Sequence, residues 1–224
     1  MSTMVAAKER RMGFKGRMVL ALLDGSKTQT RRIITLPPMG RLGEWQATTI
    51  GGPDGGRTAS GKAIPLQGAI WHTRTGMVLT CLHGQPGDRL WVRETWQHSH
   101  FRYGPNSEVF YFADYLDGPY GPDGRDRIWR PSIQMPRAAS RILLEIVSVR
   151  VERLYDISEE DARAEGAAFF EPANSLSHGG WTHDHHYVHK TAKISYQRLW
   201  ESINTKGRWD GNPWVWAIEF RRLQ

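Results

Sequence analysis

The stretch from Ser140 to Leu154 constrains the fold more than any other part of the chain. Ile142, Leu144 and Ile146 recur at every second position, and the apolar set then moves by one residue to Val147, Val149 and Val151. A period of two belongs to a strand, where residues two apart share a face. A one-residue slip would send the second set to the opposite face, so a bulge or bend near the slip is expected. A second alternating run, Trp214, Trp216, Ile218 and Phe220, predicts a final strand.

Helices are fewer and shorter. Met18 with Leu22 and Val19 with Leu23 fall at helical spacing and predict a helix over Lys15 to Asp24, closed by Gly25. Ser158-Glu159-Glu160-Asp161 has a capping-box pattern and opens a short helix that Gly166 ends. Ala192 to Asn204 is amphipathic through Tyr196, Leu199, Trp200 and Ile203. After the turn Gln85-Pro86-Gly87-Asp88, residues Arg89 to Trp96 read as a strand, as do Glu108 to Tyr115, and Tyr115 to Arg127 is a Gly/Pro/Asp loop. Pro37 to Gly68 is rich in Gly, Pro, Ser and Thr and reads as an insertion or long loop. No internal repeat is present. Separated strands with scattered helices predict a single α+β domain over 1–224, built on a curved sheet or β-barrel with a few short flanking helices.

Charge narrows the partner. Thirty Lys and Arg stand against 23 Asp and Glu, a formal +7, which favours a phosphate-bearing partner more than a neutral chain would. Ten Trp residues suit either base stacking or a core. Core periodicity, helical at Trp200 and alternating at Trp214 and Trp216, assigns those three to the core, whereas Trp96 and Trp129 stay candidates for a base site. Cys81 stands alone, which excludes an internal disulfide framework and a multi-cysteine zinc site. No window approaches a membrane span and no signal-peptide pattern is seen, so the expectation is a soluble cytoplasmic protein with no membrane partner.

Three motifs fail on context. Gly56 to Ala63 reads Gly-x-x-x-x-Gly-Lys-Ala, lacking the Ser or Thr of a P-loop and the strand and helix around it. In His183-Asp184-His185-His186-Tyr187-Val188-His189, a helical segment would bring His185 or His186 beside His189, yet a polar insertion explains the run without metal, and no metal or cofactor is expected. The basic amino-terminal segment, with Lys8, Arg10, Arg11, Lys15 and Arg17, reads as a solvated stretch or a secondary grip on a phosphate backbone.

The segment Leu22-Leu23-Asp24-Gly25-Ser26-Lys27-Thr28-Gln29-Thr30-Arg31-Arg32 resembles the signature of the ASCH family, relatives of the PUA RNA-binding domains, whose hallmark Gly-x-Lys-x-x-x-x-Arg is met by Gly25, Lys27 and Arg32. Pro86 to Leu90, Ile157 to Glu165 and Trp216 to Phe220 resemble further landmarks in the family order. Gly87 to Glu94 and Arg130-Pro131-Ser132-Ile133 to Arg141 are similar to a larger branch often encoded by phages and prophages. The resemblance implies a PUA-like fold with additions near 37–68 and 171–190. It also implies metal-independent amidohydrolase activity on N-acylated cytosine nucleosides or nucleotides of the N4-acetylcytidine type. By position, Lys27, Thr30 and Glu165 correspond to the working residues.

That chemistry is coherent with the residue types. Amide hydrolysis needs a nucleophile, a base and a donor for the leaving amine. Thr30 supplies a hydroxyl, and Lys27 acts as its base only if burial or the adjacent Arg31 and Arg32 lower its pKa from about 10.4. Glu165 can protonate the leaving nitrogen, and a water activated by Lys27 or Glu165 stays equally open as nucleophile. Arg31, Arg32, Arg93, Glu94, Trp96, Trp129 and Arg130 are the candidate substrate contacts: a carboxylate for an exocyclic amine, rings for stacking, and arginines for ribose or phosphate. Two other classes remain in view, a non-catalytic RNA or modified-base binding module and a ribonuclease acting on single-stranded RNA. The oligomeric state is not legible.

Overall fold

The computed structural model describes residues 7–39, 42–53, 55–58, 60–98, 108–116, 128–171, 179–183, 187–204 and 209–223. The elements in chain order are β1 (Glu9–Gly13), α1 (Gly16–Asp24), β2 (Gln29–Ile33), β3 (Trp45–Ile50), β4 (Gln67–His72), β5 (Val78–Thr80), β6 (Arg89–Arg93), β7 (Trp96–His98) and β8 (Val109–Tyr111). They continue with β9 (Leu143–Arg153), α2 (Glu159–Ala164), β10 (Ala168–Phe170), β11 (Gly180–Thr182), α3 (Ala192–Asn204) and β12 (Trp214–Arg222). The architecture is α+β.

The principal sheet has the order β1-β6-β9-β12-β2. Its first pair is parallel and the others antiparallel. β12 lies between β9 and β2 and is buried on both faces. Trp216, Ile218 and Phe220 enter one core, while Val215 enters the other. The first core lies under α1, where Val19 and Leu22 meet Leu90, Val92, Leu144, Ile146 and Val149. The second joins Leu154, Ile157, Ala162, Tyr196, Trp200 and Trp209 beneath α2 and α3.

The slip in β9 is a bulge. Glu219 pairs with Ser148 and Phe220 with Ile146, so Val147 faces no partner on β12 and stands 52% exposed. The sheet itself does not close into a barrel. Among the described residues β1 and β2 are its edges, and side chains fill the space where they approach. The Phe14 ring packs edge-on against Phe220, the Arg32 guanidinium covers that ring at 5.3 Å, and Arg32 Nη2 donates to the Gly13 carbonyl at 3.0 Å.

Several local expectations change. Lys8 to Arg11 is not merely solvated, because residues 9–13 form edge strand β1 against β6 with Met12 turned inward. Charged side chains on such an edge discourage pairing with other chains. The run Arg89 to Trp96 breaks at Glu94 and Thr95 into β6 and β7, and Glu108 to Tyr115 is strand only at β8 before a turn of 3-10 helix over Phe112–Tyr115. Within 37–68, β3 pairs with β4 and starts a three-stranded antiparallel sheet, β3-β4-β5. Trp214 is half-buried, with the Arg153 guanidinium 4.2 Å from its ring, rather than a full core residue like Trp200 and Trp216.

The small sheet crosses the principal one at Gly68. A Cβ placed there would lie 2.9 Å from the Arg150 Cα, the Val149 carbonyl oxygen and the Val151 nitrogen, all backbone atoms of β9. Beyond this crossing Ile70 is fully buried in the first core. Gly68→Ala is expected to cost about 1–3 kcal/mol, because backbone cannot yield as a side-chain end can. Gly13→Ala, whose nearest contact would be 3.8 Å away, should leave stability nearly unchanged, and urea unfolding of the two variants compares them.

Candidate functional site

The ends of α1 and α2 meet where the signature segment begins β2. Gly25 stops α1 in the left-handed conformation at φ 83°, and Lys27 N donates to the Ala21 carbonyl at 2.8 Å. Thr28 N donates to the Ala164 carbonyl at 2.8 Å, and Lys27 and Glu165 form an isolated antiparallel bridge. Gly166 completes the join, since a Cβ there would sit 3.0 Å from the Ala21 Cβ, at a φ of 98° that favours glycine anyway. Two residues 138 positions apart are thereby brought side by side.

Lys27 Nζ donates to Glu165 Oε2 at 2.7 Å and to the Glu165 carbonyl at 2.8 Å. Its side chain is fully buried and that of Glu165 nearly so. Burial pushes the Lys27 pKa down. The Glu165 carboxylate opposes the shift, and Arg32 and Arg31 add to it, so the net direction is downward. The second carboxylate oxygen, Glu165 Oε1, accepts from Arg31 Nη1 at 3.2 Å.

Arg31 is the hub of the polar layer between the sheet and α2. Its guanidinium contacts Glu152 at 2.6 Å and Asp161 at 3.0 Å as well as Glu165, and donates to Gln29 Oε1. Burial works against its charge, but Glu165, Glu152 and Asp161 outweigh it and hold it protonated. Gln29 in turn donates to Asp161 at 2.9 Å and Glu219 at 3.2 Å, and Arg150 reaches Asp161 from the open side at 3.2 Å. Tyr196 of α3 lies in the same field, its pKa raised first by burial and then by Glu165.

Thr30 is buried on β2 opposite Ile218, one residue out of phase with Gln29 and Arg31. Its hydroxyl makes no hydrogen bond to Lys27 or Glu165. Arg32, over Phe14, stays close to Lys27, whose Nζ is 5.9 Å from the same ring. Phe14 N donates to the Arg93 carbonyl at 3.0 Å, so Phe14 stands between the Lys27 cluster and a second group of candidates.

In that second group the Glu94 carboxylate accepts both arms of Arg141, each at 3.0 Å, while Arg141 also holds Asp114 and lies 4.0 Å from the Tyr111 ring. Burial raises the Glu94 pKa and Arg141 counters it. The Trp96 ring is buried beside Met135 and Ala139, with Arg130 at 5.5 Å, and Trp129 packs on Phe112 and Tyr115. Arg93 donates to the Ile133 carbonyl at 3.2 Å. Thus Lys27, Glu165, Arg31 and Arg32 converge, Thr30 is buried on β2 out of phase with Arg31 and without a hydrogen bond to Lys27 or Glu165, and Arg93, Glu94, Trp96, Trp129 and Arg130 have other partners.

No family model, curated protein or solved structure matches the chain. The chemistry of the site therefore stands on its own groups: a buried lysine that donates to a buried carboxylate, with burial first and the neighbouring arginines after it lowering the lysine pKa. Glu152, Asp161, Gln29 and Tyr196 are members that the sequence did not single out. Elsewhere, burial and then Arg32 and Arg10 push the His83 pKa down to about 4. Among the described residues no group of three metal-ligating side chains could hold an ion, and His185 and His186 lie outside them.

Lys27 has a consequence for pH. Because its folded-state pKa lies below its unfolded value, the unfolded chain binds the extra proton between the two, and stability rises with pH across that window. Lys27→Met removes the titrating group and is expected to flatten this rise towards about pH 10, the ordinary lysine range. Urea midpoints measured at a series of pH values check it, and a rise of equal slope in the variant contradicts it.

Proposed function

We propose that the chain is an ASCH-type, PUA-like amidohydrolase that cleaves the acyl group from an N4-acylated cytosine nucleoside or nucleotide. The observation that carries this reading is the buried Lys27–Glu165 pair at 2.7 Å, with the lysine pKa driven down. A neutral amine can take a proton from the nucleophile, and the adjoining carboxyl group can pass it to the leaving nitrogen. Since Thr30 has no bond to either group, the proposed nucleophile is water. It attacks the acyl carbon, its proton moves through Lys27 and Glu165 to N4, and the C–N bond breaks to give a carboxylic acid and the cytosine amine. Arg31 fixes Glu165 by its other oxygen, so only Oε2 serves Lys27. Where charge develops inside a low-dielectric site, fixed cations of this kind stabilise it more than water would.

The basic net charge, +7, supports a nucleotide or RNA partner. A second reading, a non-catalytic module for RNA or a modified base, is favoured by the complete burial of the Lys27 side chain. Incubation of the purified protein with N4-acetylcytidine and with its nucleotide, following release of the free amine, separates the two. Turnover that falls at least about a hundredfold in Lys27→Ala and in Glu165→Gln is expected. Absence of turnover on both substrates, or turnover indifferent to both substitutions, overturns the hydrolase reading and leaves the binding module.

A further inference from the structure

Trp91 lies at the centre of β6, half-buried, and packs into none of the apolar clusters. Leu90 and Val92 turn inward, so Arg89, Trp91 and Arg93 occupy the outer face of the strand. Register supplies the neighbours on either side. Arg11 of β1 lies across from Trp91 on one side, and Leu143 of β9 on the other. A strand rises about 3.3 Å per residue, so Arg89 and Arg93 are placed about 6.6 Å before and after Trp91. The ring thus has an arginine on three sides and an apolar side chain on the fourth. Among the described residues the guanidinium groups of Arg11 and Arg89 form no hydrogen bond or ion pair. Arg93 donates through Nη1 to the Ile133 carbonyl at 3.2 Å, while its buried Nε has no partner. Burial and then Arg11 lower the Arg93 pKa, as like charges do with no carboxylate between them. The acidic residues in the same register, Glu9 and Glu145, are each held by another arginine, Arg137 at 2.9 Å and Arg221 at 2.8 Å. The face therefore keeps the charge of Arg11, Arg89 and Arg93.

We propose that the outer face of β1, β6 and β9 binds single-stranded nucleic acid, with one base stacked on Trp91 and the flanking phosphates held by Arg89, Arg93 and Arg11. Every base has a ring face, so an indole with cations alongside takes a strand with little regard to sequence. The phosphates of such a strand lie on both sides of the stacked base, where β6 places Arg89 and Arg93. Guanidinium groups with free donors make charge-assisted hydrogen bonds to phosphate oxygens. A duplex keeps its bases stacked on one another and offers Trp91 none. An acidic peptide would engage the arginines and leave the ring idle. The proposal needs nothing from the Lys27–Glu165 pair and shares no residue with it.

Fluorescence anisotropy of a labelled oligothymidylate of about ten nucleotides, titrated with the whole protein at a series of salt concentrations, tests this. Three phosphate contacts on a single strand predict a log–log salt slope of about −2. Trp91→Ala should weaken binding about tenfold or more. Trp91→Phe keeps a stacking ring and should stay within about threefold, yet lose the quenching that a bound base imposes on the indole. Binding retained without the quench is an effect that misfolding does not produce. Arg11→Ala should lessen the salt slope by about 0.7. Arg10→Ala removes the same charge from a side chain turned to Asp88 at 3.8 Å, and should leave the slope unchanged. Absence of oligothymidylate binding, affinity indifferent to Trp91→Ala, or a slope that Arg10→Ala lowers as much as Arg11→Ala overturns the face. A matched duplex or polyglutamate bound as tightly as the single strand overturns the choice of partner. Binding to phosphatidylserine vesicles with none to the oligonucleotide overturns it too, and gives the face to a membrane surface. None of these outcomes depends on whether N4-acetylcytidine is turned over.

Discussion

Lys27 and Arg31 lie out of solvent beneath α2, and the elements around them are arranged to make that tolerable. An unpaired charge in such a place costs several kcal/mol, so partners must come from whatever strands and helices adjoin it. Glu152 comes from β9, Asp161 and Glu165 from α2 and its end, and Gln29 from β2 itself. The docking of α2 on the sheet is therefore set by charge neutralisation as much as by the apolar contacts of Ile157 and Ala162. Arg31 is held as a cation by its carboxylates, while burial leaves Lys27 easier to deprotonate than an ordinary lysine. The same contact thus closes the fold and sets the buried, cation-rich surroundings of the Lys27 amine.

Much of the framework was legible from spacing. α1, α2, α3 and β12 each carry a face or cap visible in a short window, and Ser158 does accept the Asp161 N–H that its capping pattern implied. β1 was not legible, because an edge strand with one inward residue and three charged neighbours looks like solvated chain. β3 was hidden too. Its side chains are all exposed or half-exposed, so Trp45 to Ile50 shows no buried alternation, and its place is fixed by pairing with β4 across a stretch rich in turn residues.

The site divides in the same way. Lys27 and Glu165 were named through a family resemblance, and the geometry of α1 and α2 brings them together. The role of Arg31 as a hub had no local signal, since its carboxylates lie 121 to 134 residues away in sequence. Glu94 illustrates the converse. Its place next to Trp96 on one strand face suggested a base contact, but Arg141, 47 residues on, occupies both its oxygens. Nothing in a strand pattern announces a partner at that separation.

The bulge at Val147 reaches further than a local kink. Before it the even-numbered residues of β9, Leu144 and Ile146, turn inward, and after it the odd-numbered Val149 and Val151 do. Ser148, Arg150 and Glu152 are thereby moved to the outer side, facing α2. Were Val147 paired in regular register instead of bulged, that parity would persist, and these three polar groups would point into the apolar core while the valines faced α2. One unpaired residue in the longest strand therefore decides which side of the sheet carries charge, and with it whether Arg31 finds Glu152 at all.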